Sequence, residues 1–221
     1  MTSRIDAIKD SIRRSVKNAG VDDRPYRHWQ LLNLLPEDVY REVRDISFPL
    51  FDLEGVSGTR EIHNKSRRYF DAANQEAHEA ARDVAAALQD PETVALFRDA
   101  FGARLDDSLL RIEFAQDTDG FWLEPHTDIG VKMFTMLHYL SDEPGQENLG
   151  TDIYADKETR VGRSPFVPNS AMVFIPAENT WHGFEQRPIP GVRKSMIVNY
   201  VTHEWRAREQ LAFPDRPVHA A

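Results

Sequence analysis

Two histidines and one aspartate have the residue types and the spacing to bind one metal ion. His126 and Asp128 stand two residues apart in LEPHTDIGVKMFTMLHYL, and His182 follows in NTWHGFEQ. Residues i and i+2 of a strand face the same side, so both side chains can converge on one ion. Two histidines and one carboxylate are the ligand set that holds non-haem Fe(II). An H-x-D pair alone is common by chance, and the alternative for His182 is a half-buried histidine beside Trp181.

A cation on the last predicted strand could bind an organic anion near this metal. Arg193, Ser195, Ile197 and Asn199 alternate along GVRKSMIVNYV and therefore share one face of that strand. A guanidinium inside a barrel is costly to bury without an anion, which a dicarboxylate cosubstrate would supply. Arg193 can hold a carboxylate through two hydrogen bonds, and Ser195 can donate another. The alternative is a surface salt bridge, and the rival cation is Arg187, which we expect to be exposed in the turn EQRPIPG.

The first half of the chain is predicted to be mainly helical. A first helix ends near Gly20, because apolar residues recur at spacings of three and four at Ile5, Ile8, Ile12 and Val16. Its apolar face packs on the domain or, alternatively, joins two copies in a homodimer. A short strand and a helix that begins after a proline follow in HWQLLNLLPEDVYREV. Two further helices, separated at Asp90-Pro91, are expected between Asp71 and Gly102.

The second half is predicted to consist of short strands separated by turn residues. These runs are SLLRIEF, FWLEPH, KMFTMLHYL, TDIYA, AMVFIP, WHGFEQ and KSMIVNYV. Helices followed by many short strands indicate an α+β fold, with a sandwich or barrel and the helices on one face. We expect one domain over residues 1–221, with a helical part at about 1–103, a barrel at about 104–205 and a loose tail, FPDRPVHAA.

Composition narrows the classes of protein and of partner. The chain has 221 residues and a formal net charge of -9, which disfavours nucleic acid as a partner. It has no cysteine, which excludes disulfides and thiol catalysis and fits a reducing compartment. No apolar run approaches the length of about 20 residues that a membrane span needs. The N-terminus lacks the apolar core of a secretory signal. These features predict a soluble, cytoplasmic protein.

The order of H-x-D, a distal histidine and G-x-R-x-S resembles the Fe(II)- and 2-oxoglutarate-dependent dioxygenases. The likeness covers about residues 104–203 and is greatest to the prolyl-hydroxylase-like branch. It implies a double-stranded β-helix, which is a jelly-roll or cupin-like barrel, with N-terminal helices packed on one face. It also implies Fe(II) on His126, Asp128 and His182, with 2-oxoglutarate as cosubstrate and O2 as oxidant.

The same resemblance assigns further residues to the cosubstrate. In FTMLHYLS, Tyr139 matches the tyrosine that hydrogen-bonds the far carboxylate of 2-oxoglutarate in part of that branch, next to Arg193 and Ser195. Thr135, Leu137 and Tyr139 would then face inward, and Met136 and His138 outward. Two features depart from the family pattern. NLGTD replaces the common Gly-Gly, and Phe114 and Gln116 stand where a tyrosine is frequent, so Gln116 is a candidate contact for the inner carboxylate.

The implied activity is hydroxylation of a C–H bond, coupled to decarboxylation of 2-oxoglutarate to succinate and CO2. Asp128 favours hydroxylation over halogenation, because related halogenases vacate that ligand position. A free amino acid or small metabolite is the first candidate substrate, and a peptidyl residue on a partner protein is the second. Three further classes of protein compete with this activity: a cupin-type metal protein without 2-oxoglutarate, a non-catalytic scaffold and a nucleic-acid demethylase.

Two groups of residues are candidates for the substrate side of the site. Arg60, Arg67 and Arg68 lie in a loop-rich segment at 57–70, which is either a substrate lid or a solvated loop. Three aromatic residues near the metal ligands either line a substrate pocket or only pack: Phe121, Trp122 and Trp181.

Overall fold

The computed structural model describes residues 3–50, 58, 67–128 and 130–219. In this part of the chain the helices are α1 (Arg4–Lys17), α2 (Glu37–Arg44), α3 (Ala72–Ala77), α4 (Glu79–Gln89) and α5 (Pro91–Phe101), and a 3-10 turn spans Arg208–Gln210. Ser3 and Asp6 form a capping box at the start of α1. The first of the two helices expected between 71 and 102 is divided, because His78 adopts an extended conformation between α3 and α4.

The strands form one large and one small sheet. They are β1 (Gly20–Asp22), β2 (His28–Leu31), β3 (Arg68–Tyr69), β4 (Leu109–Asp117), β5 (Leu123–His126), β6 (Lys132–Tyr139), β7 (Asp152–Tyr154), β8 (Arg160–Arg163), β9 (Ser170–Phe174), β10 (His182–Phe184) and β11 (Arg193–Val201). The large sheet has the order β1-β2-β9-β6-β11-β4-β3, and the small sheet has the order β5-β10-β7-β8. Neighbouring strands in both sheets pair antiparallel.

Alternation along the strands divides the large sheet into a helix-facing side and an inner side. Ile112, Phe114, Met136 and Val198 belong to one apolar core with residues of the helices, such as Val84 of α4. The inner residues form a second apolar cluster with the small sheet: Leu137, Tyr139, Met172 and Phe174 of the large sheet with Ile153 and Phe184 of the small one. The predicted double-stranded β-helix with helices on one face is therefore confirmed, as is the direction of Thr135, Leu137 and Tyr139.

Residues Met136 and His138 point away from the barrel interior, as expected, but they are buried beneath the helices. His138 has no exposed surface, and its Nε2 lies 3.1 Å from Asn169 Oδ1. Burial lowers the pKa of His138 to about 4. The imidazole is therefore neutral near pH 7.

The predicted loose C-terminal tail, FPDRPVHAA, requires a correction, because Val218 within it is docked on the barrel. Just before this tail, Leu211 forms a β-bridge with Arg111, and the Ala212 amide donates to the carbonyl of Leu110. Val218 is completely buried, and its amide donates to the carbonyl of Ser108. The apolar residues in this segment bury surface against β4, and that burial offsets the entropy cost of ordering it.

Within the described residues, no helix is long and apolar enough to cross a membrane.

Candidate active site

The structure brings the three predicted metal ligands together at the edge of the small sheet. His126 ends β5 and His182 begins β10, and the two residues are direct partners across these antiparallel strands. Their ring centroids lie 4.3 Å apart. Asp128 Oδ1 is 3.8 Å from His126 Nε2, and Asp128 Oδ2 is 3.8 Å from His182 Nε2. Ligand atoms of all three residues lie within 4.8 Å of one another.

The hydrogen bonds of the two histidines favour binding of a cation. His126 Nδ1 lies 2.9 Å from the carbonyl oxygen of Glu124, and His182 Nδ1 lies 2.9 Å from that of Thr180. A carbonyl only accepts, so each Nδ1 carries the proton and each Nε2 presents a lone pair towards Asp128. Hydrogen bonds of this kind fix the orientation of metal-binding histidines. Two lone pairs and a carboxylate that face one another fit a divalent metal such as Fe(II).

Two residues that the sequence did not assign to this role hold the carboxylate of Asp128. Thr135 Oγ1 donates to Asp128 Oδ2 at 3.0 Å. Lys132 Nζ lies 2.8 Å from Asp128 Oδ1, and the Lys132 side chain is only 5% exposed. Both residues lie on β6, which starts just after the H-x-D pair. Lys132 follows Asp128 by four residues, but it begins β6 and the two residues do not share a helix, so the spacing alone does not predict the contact.

A line of buried donors extends behind Thr135. Asn199 Nδ2 donates to Thr135 Oγ1 at 3.0 Å, and Arg111 Nη1 donates to Asn199 Oδ1 at 3.1 Å. Thr135 and Asn199 have no exposed surface, and Arg111 is 1% exposed. This relay consists of Arg111, Asn199 and Thr135. Each of its hydrogen bonds is donated in the direction of Asp128, and the Arg111 guanidinium lies at its far end. Such chains polarise one another in a low-dielectric interior, so the relay fixes and stabilises the ionised carboxylate.

The predicted cosubstrate residues line the same cleft as the metal ligands. Arg193, Ser195 and Tyr139 are among its lining residues, together with Thr151. Ser195 and Tyr139 are direct partners across β11 and β6. Tyr139 Oη lies 2.9 Å from Thr151 Oγ1 and 2.5 Å from Ser164 Oγ, so its hydroxyl is held by two other hydroxyl groups.

Arg193 is buried and makes one ion pair that was not predicted. Its Nη1 lies 2.5 Å from Asp117 Oδ2, and its Nε donates to the carbonyl of Leu149 at 2.8 Å. Asp117 also accepts from Arg67 Nη1 at 2.6 Å, so one carboxylate is shared by two guanidinium groups. Because a guanidinium has five N–H donors, these contacts leave donors on Arg193 for an anion in the cleft.

Gln116 does not reach the cleft, which corrects the expectation that it contacts the cosubstrate. Its Nε2 donates to the carbonyl oxygens of Phe48 and Pro49, at 3.2 and 3.4 Å. It lies on the helix-facing side of β4, opposite Lys194 of β11, whereas Ala115 and Asp117 face inward. Leu110, Ile112 and Phe114 share that side, and this apolar alternation was the signal in the sequence that could have placed Gln116 correctly.

The Arg187 side chain is less exposed than its position in the turn EQRPIPG predicts. Its side chain is 14% exposed, and its Nη1 lies 2.6 Å from Asp152 Oδ2. Asp152, which is completely buried, also pairs with Arg160 and Arg163. The guanidinium of Arg187 lies 3.8 Å from the centre of the Phe184 ring, and that of Arg193 lies 4.7 Å from the same centre. Arg187 therefore supports a wall of the cleft.

The residues predicted for the substrate side occupy different places. Arg67 and Phe121 line the cleft, whereas the described lining residues do not include Trp122, Trp181 or Arg68. Gly58 lies against the Trp122 ring, and its carbonyl accepts from the Glu124 amide. Arg60 and most of the 57–70 segment lie outside the described residues, so the proposed lid stays a prediction.

Comparisons with known proteins establish the fold. No family model matches the chain, and no curated protein matches either. Among solved structures, a Pseudomonas putida prolyl-4-hydroxylase is 16% identical with a TM-score of 0.56, and the match covers 89% of this chain and 94% of that one. A Trichoplax adhaerens prolyl hydroxylase in complex with a hypoxia inducible factor peptide is 15% identical over 90% and 91% of the two chains, with a TM-score of 0.54.

A third similar structure is HygX from Streptomyces hygroscopicus, with nickel and 2-oxoglutarate bound. It is 13% identical over 80% of this chain and 82% of that chain, with a TM-score of 0.51. The fold is therefore that of the double-stranded β-helix oxygenases. Within this class the similarity extends to prolyl hydroxylases, as the sequence resemblance predicts.

Proposed function

We propose that the protein is an Fe(II)- and 2-oxoglutarate-dependent dioxygenase that hydroxylates a C–H bond of a small metabolite or amino acid. One observation carries the proposal. The Nε2 atoms of His126 and His182 face Asp128 at 3.8 Å, in the same cleft that Arg193, Ser195 and Tyr139 line. A cupin-type protein without 2-oxoglutarate, or a scaffold, would have no need for a buried guanidinium beside a metal site.

Each residue has a role that follows from its position. His126, Asp128 and His182 would hold the iron, and Thr135 orients the Asp128 carboxylate through its hydrogen bond. Arg193 and Ser195 would bind the far carboxylate of 2-oxoglutarate, with Tyr139 alongside. The bound metal supplies the oxidation, in which O2 and 2-oxoglutarate are consumed, succinate and CO2 are released, and one oxygen atom enters the substrate.

A small-molecule substrate fits the enclosure of the site. The cleft has an empty volume of about 750 Å³ that includes its open mouth, and its charged lining residues Arg67, Glu113 and Lys132 have side chains 5–10% exposed. A peptidyl residue on a partner protein is the second candidate. A single domain, a cytoplasmic location and a homodimer stay predictions from the sequence. The apolar face of α1 is buried in the core, so a homodimer would use another surface.

The proposal is tested by product formation. Aerobic incubation with Fe(II) and 2-oxoglutarate should yield succinate at a slow rate even without substrate, and ascorbate should maintain it. His182→Ala should abolish this succinate, whereas His203→Ala, a change at an exposed histidine, should not. Equal succinate from the wild type and His182→Ala would contradict the assignment.

A further inference from the structure

Three hydroxyl groups lie in a row that reaches the cleft, and they belong to Ser164, Tyr139 and Thr151. Tyr139 Oη donates to Thr151 Oγ1 at 2.9 Å and lies 2.5 Å from Ser164 Oγ. Ser164, Tyr139 and Thr151 are 2%, 0% and 6% exposed. Tyr139 and Thr151 line the cleft, whereas Ser164 is not among its described lining residues. This hydroxyl row therefore leads from the protein interior to the cleft.

The direction of donation in the hydroxyl row follows from the fact that each hydroxyl has a single hydrogen. Tyr139 gives its hydrogen to Thr151, so at its contact with Ser164 it accepts, and the Ser164 hydroxyl is the donor. The opposite order would leave the unused hydrogen on Ser164, where burial makes an unpaired donor costly. Among the described residues, no group accepts the hydrogen of the Thr151 hydroxyl. The free donor of the row is therefore Thr151, at the cleft.

The backbone of Thr151 is held tightly against Ser164. The Thr151 amide donates to Ser164 Oγ at 2.9 Å, and the Ser164 amide donates to the carbonyl of Thr151 at 2.9 Å. The preceding residue must be a glycine for this close approach, because a Cβ added to Gly150 would lie 1.8 Å from the carbonyl oxygen of Ser164. Thr151 therefore presents its hydroxyl from a fixed position.

The Arg193 guanidinium lies at the same end of the cleft as the hydroxyl row. Arg193 Nε donates at 2.8 Å to the carbonyl of Leu149, which is two residues before Thr151. The centre of the Phe166 ring lies 5.7 Å from the guanidinium carbon of Arg193 and 4.9 Å from the centre of the Tyr139 ring. A guanidinium and a hydroxyl donor therefore share one region of the cleft, where a carboxylate can accept from both.

We infer that Thr151 is a binding residue for the far carboxylate of 2-oxoglutarate, and that Tyr139 and Ser164 position its hydroxyl without donating to the cosubstrate. This inference rests on the proposed function and adds a residue that the sequence did not assign. The family resemblance instead gives this hydrogen bond to Tyr139. The hydroxyl of Tyr139 has one hydrogen, and Thr151 already accepts it.

The test compares 2-oxoglutarate with 2-oxopentanoate, which has a methyl group in place of the far carboxylate. Calorimetric titration of each into the protein loaded with Mn(II) measures binding without turnover. Thr151→Val keeps the shape of the side chain but not its donor. It should lower the affinity for 2-oxoglutarate by about tenfold or more, as loss of a hydrogen bond to a charged group predicts. Its affinity for 2-oxopentanoate should not change, and Thr151→Ser should keep the wild-type affinity for both ligands.

Tyr139→Phe separates the two hydroxyl groups, because it leaves the Thr151 donor in place. It should weaken 2-oxoglutarate binding less than Thr151→Val does. The inference is overturned if Thr151→Val binds 2-oxoglutarate as the wild type does, if it weakens both ligands equally, or if Tyr139→Phe alone loses about tenfold or more. The last result decides the matter even where Thr151→Val does not fold. Failure of the wild type to bind Mn(II) and 2-oxoglutarate would instead contradict the proposed function.

Discussion

His126 and His182 are direct partners across β5 and β10, with ring centroids 4.3 Å apart. Antiparallel pairing thus brings together two side chains that are far apart in sequence, and both Nε2 atoms face Asp128. Each histidine is positioned by the backbone hydrogen bonds of its own strand and not by its side chain. Replacing one histidine should therefore remove metal binding and leave most of the fold intact.

His182→Ala tests this separation of function from stability. We expect Mn(II) binding to weaken by about 100-fold or more, since one of three protein ligands is lost. The thermal midpoint without metal should fall only modestly, because alanine keeps the backbone pairing of β10, although the contact of the ring with Phe174 is lost. Titration calorimetry gives the affinity, with His203→Ala as the control. Wild-type Mn(II) affinity in His182→Ala would show that the ion binds elsewhere.

Thr135→Val tests the relay behind Asp128. Valine keeps the shape of threonine but cannot donate to Asp128 Oδ2, and loss of such supporting hydrogen bonds costs about 10–100-fold in metal affinity. We expect a decrease of about tenfold in Mn(II) affinity. The matched control is Thr202→Val, because the buried Thr202 Oγ1 has no hydrogen-bond partner among the described residues. An equal effect of the two changes would exclude a role for the relay.

Arg193→Met and Arg187→Met should affect different properties. Arg193→Met should raise the dissociation constant for 2-oxoglutarate by about tenfold or more, since a charge-assisted pair is lost. Arg187→Met should mainly lower the free energy of unfolding, because Arg187 pairs with the buried Asp152 and packs on Phe184. Calorimetric titration and chemical unfolding measure the two quantities. The assignment of the anchor fails if Arg187→Met shows the larger effect on 2-oxoglutarate.

His138 should make the fold sensitive to acid. Its pKa is about 4 in the folded protein because of burial, and 6.5 is the ordinary value. The unfolded chain therefore binds more protons between these values, and the stability present above pH 6.5 falls progressively as the pH falls towards 4. The free energy of unfolding that is lost over this whole pH range amounts to about 3 kcal/mol. His138→Gln can still donate to Asn169, and it should flatten the dependence of unfolding free energy on pH in this window. A slope unchanged from the wild type would assign the acid sensitivity to other groups.

The sequence predicted that His126 and Asp128 converge because its evidence is local: residues two apart on an extended chain can face one side, although β5 ends at His126 and Asp128 follows it. Arg193 and Ser195 share a face of β11 for the same reason. His182 was added to the pair because of its residue type and not because of its spacing. The contacts of Arg193 with Asp117 and of Lys132 with Asp128 depend on strand register and on turn geometry, which local patterns do not determine. The tail was misjudged because Val218 is an isolated apolar residue without periodicity. Gln116 was misplaced although the apolar alternation of β4 was visible.

The most direct test of the account is whether metal and 2-oxoglutarate stabilise the fold cooperatively. Binding at about 100 times the dissociation constant adds about 2.7 kcal/mol, and a domain of this size gains roughly 2–4 °C per kcal/mol. We predict a small shift of the thermal midpoint with Mn(II), little with 2-oxoglutarate, and a shift with both that exceeds the sum. Reciprocal coupling is required of ligands that share one site, and Arg193→Met should reduce it. Strictly additive shifts, unchanged in Arg193→Met, would contradict the dioxygenase assignment.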